Sequence, residues 1–301
     1  TVLFALLVGL MTGNSFFFAT YAAIGGFVGA MAARQVRNRM ALLWSGLIIG
    51  AVNMASIMAF LLISGEFFEL SSIWRMGLGL VGGIASGIFV SAVLPVVEAL
   101  FGYTTDIKLL ELANLNHPGL RELIVRAPGS YHHSMMVGSL CEAAAEAVGG
   151  NPLLARVGSY YHDIGKAKNP HYFAENQKLG VNPHDKLKPN MSALVIKAHV
   201  KDGLEMARQY RLPVVIQDFI AQHHGTSLIA YFYHKAKSLE DPEIQGVDEK
   251  DYRYPGPKPQ SRETAICLLA DGIEAASRAM PEPTPAKLKG LVQKMINKAF
   301  T

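Results

Sequence analysis

The stretch "YYHDIGKAKNP" at 160–170 sets His162 directly beside Asp163. Neighbouring residues on a helix point roughly 100° apart and do not face one another. One use for both is a pair of metals, because a carboxylate has two oxygens and can lie between two ions while the imidazole beside it holds only one. The remaining donors must come from elsewhere, and the candidates are His133, His199, the pair His223–His224, and Asp271. Imidazole and carboxylate donors without cysteine suit iron, manganese or zinc, and the lack of an all-carboxylate cage argues against calcium.

Any one of these histidines alone is more often a structural residue than a ligand. Their distribution changes that weighing. "YHHSMMVGSLCEAAAEAVG", "NPLLARVGSYYHDIGK", "NMSALVIKAHVKDGLEMARQY", "LPVVIQDFIAQHHG" and "SRETAICLLADGIEAASRAM" each have helical periodicity, and each carries one or two of the candidates. Helices can bring such groups inward to a shared point. "PHD" at 183–185 looks like a further pair but falls in a loop bearing Pro and Asn. Residues 238–261, polar and rich in Pro and Gly, read as a long surface loop. Ahead of these helices, Ile107, Leu110, Leu112 and Leu115 suggest an amphipathic connecting helix within a 101–127 linker, closed by the "NHPG" turn. No run alternates as a strand would, so 128–301 is expected to be an all-α domain.

The first third of the chain is of another kind. Of 301 residues, 17% are charged and 50% hydrophobic, but 1–33, 40–65 and 76–97 carry no charge at all. A span needs roughly 20 apolar residues. Residues 16–33, 40–64 and 76–97 qualify, and "TVLFALLVGLM" reads as the tail of a span cut off where the chain starts. Residues 1–100 are therefore expected to hold four spans, the first partial, in a lipid bilayer. "RQVRNR" at 34–39 is the basic loop, which by the positive-inside rule is cytoplasmic. Two crossings later the chain emerges on that same side, making this a multi-pass plasma (inner) membrane protein with its second domain in the cytosol. Cys141 and Cys267, both in that domain, agree when read as reduced thiols, the plainer alternative to a disulfide that the sequence also allows. Gly25 and Gly29, and Gly79, Gly83 and Gly87, have the spacing that lets helix backbones approach, and leave a homodimer open. Asn53, the strongly polar residue of the third span, is expected to make an interhelical hydrogen bond. The net charge of +4 is too small to argue for DNA or RNA as partner.

A histidine, "HD" after 28 intervening residues and a distal Asp resemble the pattern of the HD-domain metal-dependent phosphohydrolases, and His199 and His223–His224 are what the two-metal members add. "APGSYHHS", "ARVGSYYHDIGKAKNP", "FAENQ", "NPHDKL", "QHHGTSLIAYFYHKA" and "YRYPGPKPQSRETA", after a multi-span region, resemble the seven-transmembrane HD family, the PgpH-type cyclic-di-AMP phosphodiesterases. The resemblance covers essentially the whole chain. It implies one divalent metal, iron or manganese, on His133, His162, Asp163 and Asp271, and a second on Asp163, His199, His223 and His224. His133 is preferred to His132 because it precedes Ser in the family's "HS". The family carries a further span and a large extracytoplasmic domain ahead of these spans, so the chain is expected to be a fragment lacking its sensor.

Two such metals, about 3.5–4 Å apart, can ionise a bridging water and clamp phosphate oxygens during in-line attack. The expected reaction opens cyclic-di-AMP to linear 5′-pApA, with Asp163 as the bridging catalytic residue. Lys166, in the HD-x-G-K context, is expected to meet a phosphate oxygen, and Thr226 to add a hydrogen bond to substrate. Adenine selectivity comes from the resemblance alone. Two rival readings stand beside this one: a membrane receptor that binds a cyclic dinucleotide uncut, and an HD hydrolase of another nucleotide.

Overall fold

The computed structural model describes residues 1–34, 36, 38–177, 182–239 and 246–300. They divide into two compact units, Thr1–Ile107 and Lys108–Thr301. Among the described residues all regular structure is helical, apart from one isolated antiparallel bridge between Leu228 and Arg253.

The first unit contains α1 (Val2–Met11), α2 (Phe16–Ala33), α3 (Arg39–Ser64) and α4 (Leu70–Phe101). The last three are long and apolar enough to cross a membrane, whereas α1 is a shorter apolar helix. Local signals set their ends. Asn38 Oδ1 accepts from the Ala41 N–H at 2.7 Å to start α3, and glycines in the left-handed region, Gly65 and Gly102, stop α3 and α4. The glycine spacing finds its use where α3 crosses α4. Gly46 and Gly50 face Gly83 and Gly87, and a Cβ on Gly83 would lie 2.1 Å from the Gly50 nitrogen. Lipid offers no hydrophobic drive for helix pairing, so this close backbone contact does the packing. Asn53 is buried, and its Oδ1 faces Gly25 on α2.

The second stretch runs through α5 (Asp106–Leu112), α6 (Pro118–Arg126), α7 (Pro128–Ala147), α8 (Pro152–Tyr161), α9 (Pro189–Gln209), α10 (Val214–Gln222), α11 (Ala230–Ser238), α12 (Arg262–Arg278) and α13 (Pro285–Phe300). Helices α6 to α9 each open on proline, which lacks the N–H that the first helical position could not use anyway. Asn151 caps α8 through Leu154 N, and Ser261 caps α12 in a reciprocal box with Thr264.

Two sequence expectations change here. Residues 101–127 do not merely connect: Leu109, Leu112, Leu120 and Leu123 pack with Val157, Ile164, Ile216 and Ile220 in the main core. Leu115, expected on the apolar face, is 47% exposed. In the expected 238–261 loop, residues 240–245 lie outside the described set. The rest is pinned to the domain, with Ile229 N–H donating to the Tyr252 carbonyl at 2.8 Å and Tyr254 N–H to the Ser227 carbonyl at 3.0 Å. Tyr252 and Tyr254 are buried by that pairing.

Candidate metal centre

The seven candidate ligands converge. His133, His162, Asp163 and Asp271 form one group, and Asp163, His199, His223 and His224 form another. Within each, one donor atom from every residue lies within 4.8 Å of the others. Only His133 (α7), His199 (α9) and Asp271 (α12) lie inside helices. His162 follows the last residue of α8, and Asp163 has φ −105° and ψ 16° before the tight turn Ile164–Ala167. His223 follows α10, and Gly225, at φ +52°, turns the chain away after His224. The two adjacent pairs are thus released from the 100° rule by lying at helix ends, where the backbone changes course and both side chains can face inward.

Asp163 divides its oxygens between the groups. Oδ2 is 3.5 Å from His133 Nε2 and 3.3 Å from His162 Nε2, while Oδ1 is 3.4 Å from His199 Nε2 and 3.5 Å from His223 Nε2. Asp271 closes the first group at 3.0 Å from His133 Nε2, and its other oxygen is 3.6 Å from His224 Nδ1. Gly165 makes the approach feasible, because a Cβ there would lie 1.9 Å from the His199 carbonyl oxygen. Any larger residue would push the Asp163 turn away from α9.

The outer nitrogens orient the rings. His162 Nδ1 lies 2.6 Å from the Ser159 carbonyl, His199 Nδ1 2.6 Å from that of Ile196, and His223 Nδ1 3.0 Å from that of Ile220. A carbonyl only accepts, so each Nδ1 bears a proton and each ring directs its Nε2, the nitrogen that can donate to a metal when unprotonated, to the centre. His199 Nε2 and His223 Nε2 consequently face each other at 3.2 Å, an arrangement that a cation between donors resolves. His133 Nε2, His162 Nε2 and Asp163 Oδ1 are buried without a hydrogen-bond partner. Orphaned acceptors of this kind fit a divalent ion, and the two groups are able to bind metal.

Without metal, the groups differ electrostatically. Burial drives His162 down, but Asp163 and Asp271 outweigh it and lift it to about 10. Burial takes His199 down to about 3; Asp163 opposes this, and His223 and Lys166 reinforce it. Burial would raise Asp163, yet Lys166 and His162 hold it well below the usual carboxylate range.

Lys166, expected at a phosphate, here contacts Asp163 Oδ2 at 2.6 Å and Glu175 Oε1 at 2.9 Å. Glu175 belongs to "FAENQ". In the same motif Asn176 Oδ1 accepts from the Gly129 and Ser130 N–H groups at 2.9 and 3.2 Å, anchoring the start of α7. Thr226 lies past the Gly225 turn, its carbonyl accepting from Arg253 Nη1 at 2.9 Å. His132 is exposed. His184, of "PHD", is buried, has its Nε2 2.9 Å from the Tyr172 carbonyl and joins neither group.

Three residues at the centre escaped the sequence reading. Glu274 is buried, with its carboxylate 2.5 Å from His133 Nδ1, so His133 is backed by an acid where His162, His199 and His223 are backed by carbonyls. Its place three residues after Asp271, on the same helix face, was the available signal. Glu175 had no such signal. Tyr254 stacks on His224 with ring centroids 4.1 Å apart, hidden within the segment expected as a loop.

Residues 1–105 match the family model described as a 7TM receptor with intracellular HD hydrolase, and residues 130–276 match that of the HD domain. Over 92% of its length the chain is 45% identical to the cyclic-di-AMP phosphodiesterase PgpH of Bacillus subtilis. The chain belongs to the PgpH family of seven-transmembrane HD proteins. The PgpH of Listeria monocytogenes is 43% identical, again over 92% of the chain, and the chain spans 38% of the length of each of these two relatives. A crystal structure of the L. monocytogenes PgpH HD domain in complex with cyclic-di-AMP superposes with a TM-score of 0.58 at 50% identity, covering 62% of this chain and 86% of that one.

Proposed function

We propose that the chain is the membrane-anchored catalytic part of a phosphodiesterase that hydrolyses cyclic-di-AMP to linear 5′-pApA with two divalent metals, iron or manganese. The observation that carries this reading is the division of Asp163 between two four-residue groups. His133, His162, Asp163 and Asp271 would hold one ion, and Asp163, His199, His223 and His224 the other. When bound, such a pair makes a strong nucleophile of water near neutral pH and neutralises charge on the phosphoryl oxygens. Asp163 would offer one oxygen to each ion, and the Ser159, Ile196 and Ile220 carbonyls hold the imidazole tautomers that can donate to metal. Lys166, tied to Asp163 and Glu175, is poised at the edge of the centre. Its ammonium, which here shares a candidate metal ligand, would be available to a phosphate oxygen of the substrate.

The basic loop at 34–39 favours a cytosolic position for the HD domain, in agreement with its buried free thiols, Cys141 and Cys267. The substrate follows from what the relatives are named for. Purified chain incubated with cyclic-di-AMP and Mn²⁺, with product followed by chromatography, tests this reading. Release of 5′-pApA that stops on chelation supports it. Cyclic-di-AMP bound but uncut would favour a receptor, and turnover of nucleoside triphosphates in its place would favour a different HD hydrolase.

A further inference from the structure

Beside the metal centre lies a recess of about 450 Å³ lined by Lys197, Thr226, Lys250, Arg253, Tyr254 and Pro255. The lining holds three cations and no carboxylate. Tyr254 forms a wall common to both places, since its ring also stacks on the candidate ligand His224. The cations are held in different ways. Arg253 is tied to Glu249 at 2.5 Å and to the Thr226 carbonyl at 2.9 Å, so it props the Thr226 turn. Lys197 Nζ donates once, to the Asp251 carbonyl at 2.5 Å, which leaves two of its three protons for another acceptor. Lys250 has no ion pair among the described residues. With Arg253 neutralised by Glu249, two ammonium groups remain beside an aromatic ring and a hydroxyl, a combination suited to a phosphate ester carrying a sugar and a base.

We propose that this recess receives the second, uncleaved phosphodiester of the cyclic dinucleotide, with Lys250 and Lys197 as its cationic contacts. The inference rests on the reading of the substrate given above. A cyclic dinucleotide has two phosphodiesters on one ring, so holding one against the metals necessarily carries the other to a neighbouring place. A recess that shares a wall with the metal centre provides that place. It would favour a double diester over a simple one, a preference that the metal ligands cannot supply.

Equilibrium dialysis of cyclic-di-AMP against the full chain stripped of metal reads the recess without turnover. Lys250→Ala is expected to weaken retention about fivefold, the Lys197→Ala/Lys250→Ala pair further, and Lys250→Arg to restore most of it. In the Mn²⁺-loaded chain, the ratio of kcat/KM for cyclic-di-AMP to that for bis(4-nitrophenyl) phosphate should fall by the same factor in Lys250→Ala. Equal retention by Lys250→Ala and the parent chain, or an unaltered ratio, overturns the proposal. Cleavage of the small diester with no binding of cyclic-di-AMP overturns it too while leaving the metal centre standing. Lysine-dependent binding without turnover by the loaded chain keeps the recess and removes the hydrolytic reading.

Discussion

The two halves of the candidate metal centre share Asp163 but are built on opposite principles. The His133–His162 half also holds Asp271, and a third carboxylate, Glu274, backs His133; its His162 is raised to about 10. The His199–His223–His224 half has Asp163 as its one carboxylate, and its His199 is depressed to about 3. The first half is an anionic cage that a proton enters when no cation is there. In the second, burial keeps His199 and His224 as neutral imidazoles already prepared for one. Similar residues at similar distances thus give sites of different charge, and charge decides which holds its ion harder.

The widest break comes from the residue common to both halves. Asp163→Asn should reduce metal content in both and lower phosphodiesterase turnover on the order of 10³-fold, with helical circular dichroism retained. Two ions retained at full affinity in that variant would refute the division of Asp163. Next in size, Asp271→Asn and His199→Ala should each leave close to one ion per chain by elemental analysis, and the asymmetry predicts that Asp271→Asn removes the more tightly held one. Loss of the weaker ion in both variants would contradict the comparison.

Glu274→Gln sharpens it, because His133 is the one candidate ligand that its carboxylate contacts. Metal affinity in the first half is expected to drop about 10–100-fold, with the second half little changed in a two-site chelator titration. An equal fall at both sites would make Glu274 a general structural support. The smallest effect is one of pH. A cation in the first half must displace the His162 proton, so its apparent affinity should rise by up to about tenfold per pH unit between pH 6 and 9. The second half, with His199 deprotonated above about 3, should show a shallow dependence. In the metal-free protein the sign is reversed. His162 is raised above its unfolded value of about 6.5, so its contribution to stability is complete below that pH and fades as pH rises through about 10. Chemical denaturation of chelated protein at pH 6 and pH 9 measures it.

How far the sequence reaches depends on residue type. Histidine is scarce, and all ten lie after the uncharged spans, so each one near an Asp was conspicuous. Glutamate is common and ordinarily solvated, so Glu175 and Glu274 did not stand out although both are largely buried at the centre. Tyr254 was lost because proline and glycine around it imply a loop, whereas its burial comes from pairing with Ser227, distant in sequence. Helix periodicity located every ligand-bearing segment but not its ends. The ligands at those ends depend on backbone turns that periodicity does not encode. In the membrane half the spans followed from hydropathy alone, and the glycine spacing hinted at the α3–α4 crossing without naming its partners.

The bare contact between Gly50 and Gly83 has a mechanical consequence. Two backbones that touch without intervening side chains have no ratchet of knobs to climb, and because Gly79 and Gly87 lie one turn to either side of Gly83, a one-turn shift of α4 would again set a hydrogen against Gly50. The seam therefore constrains the distance between the two helices more tightly than their position along its length.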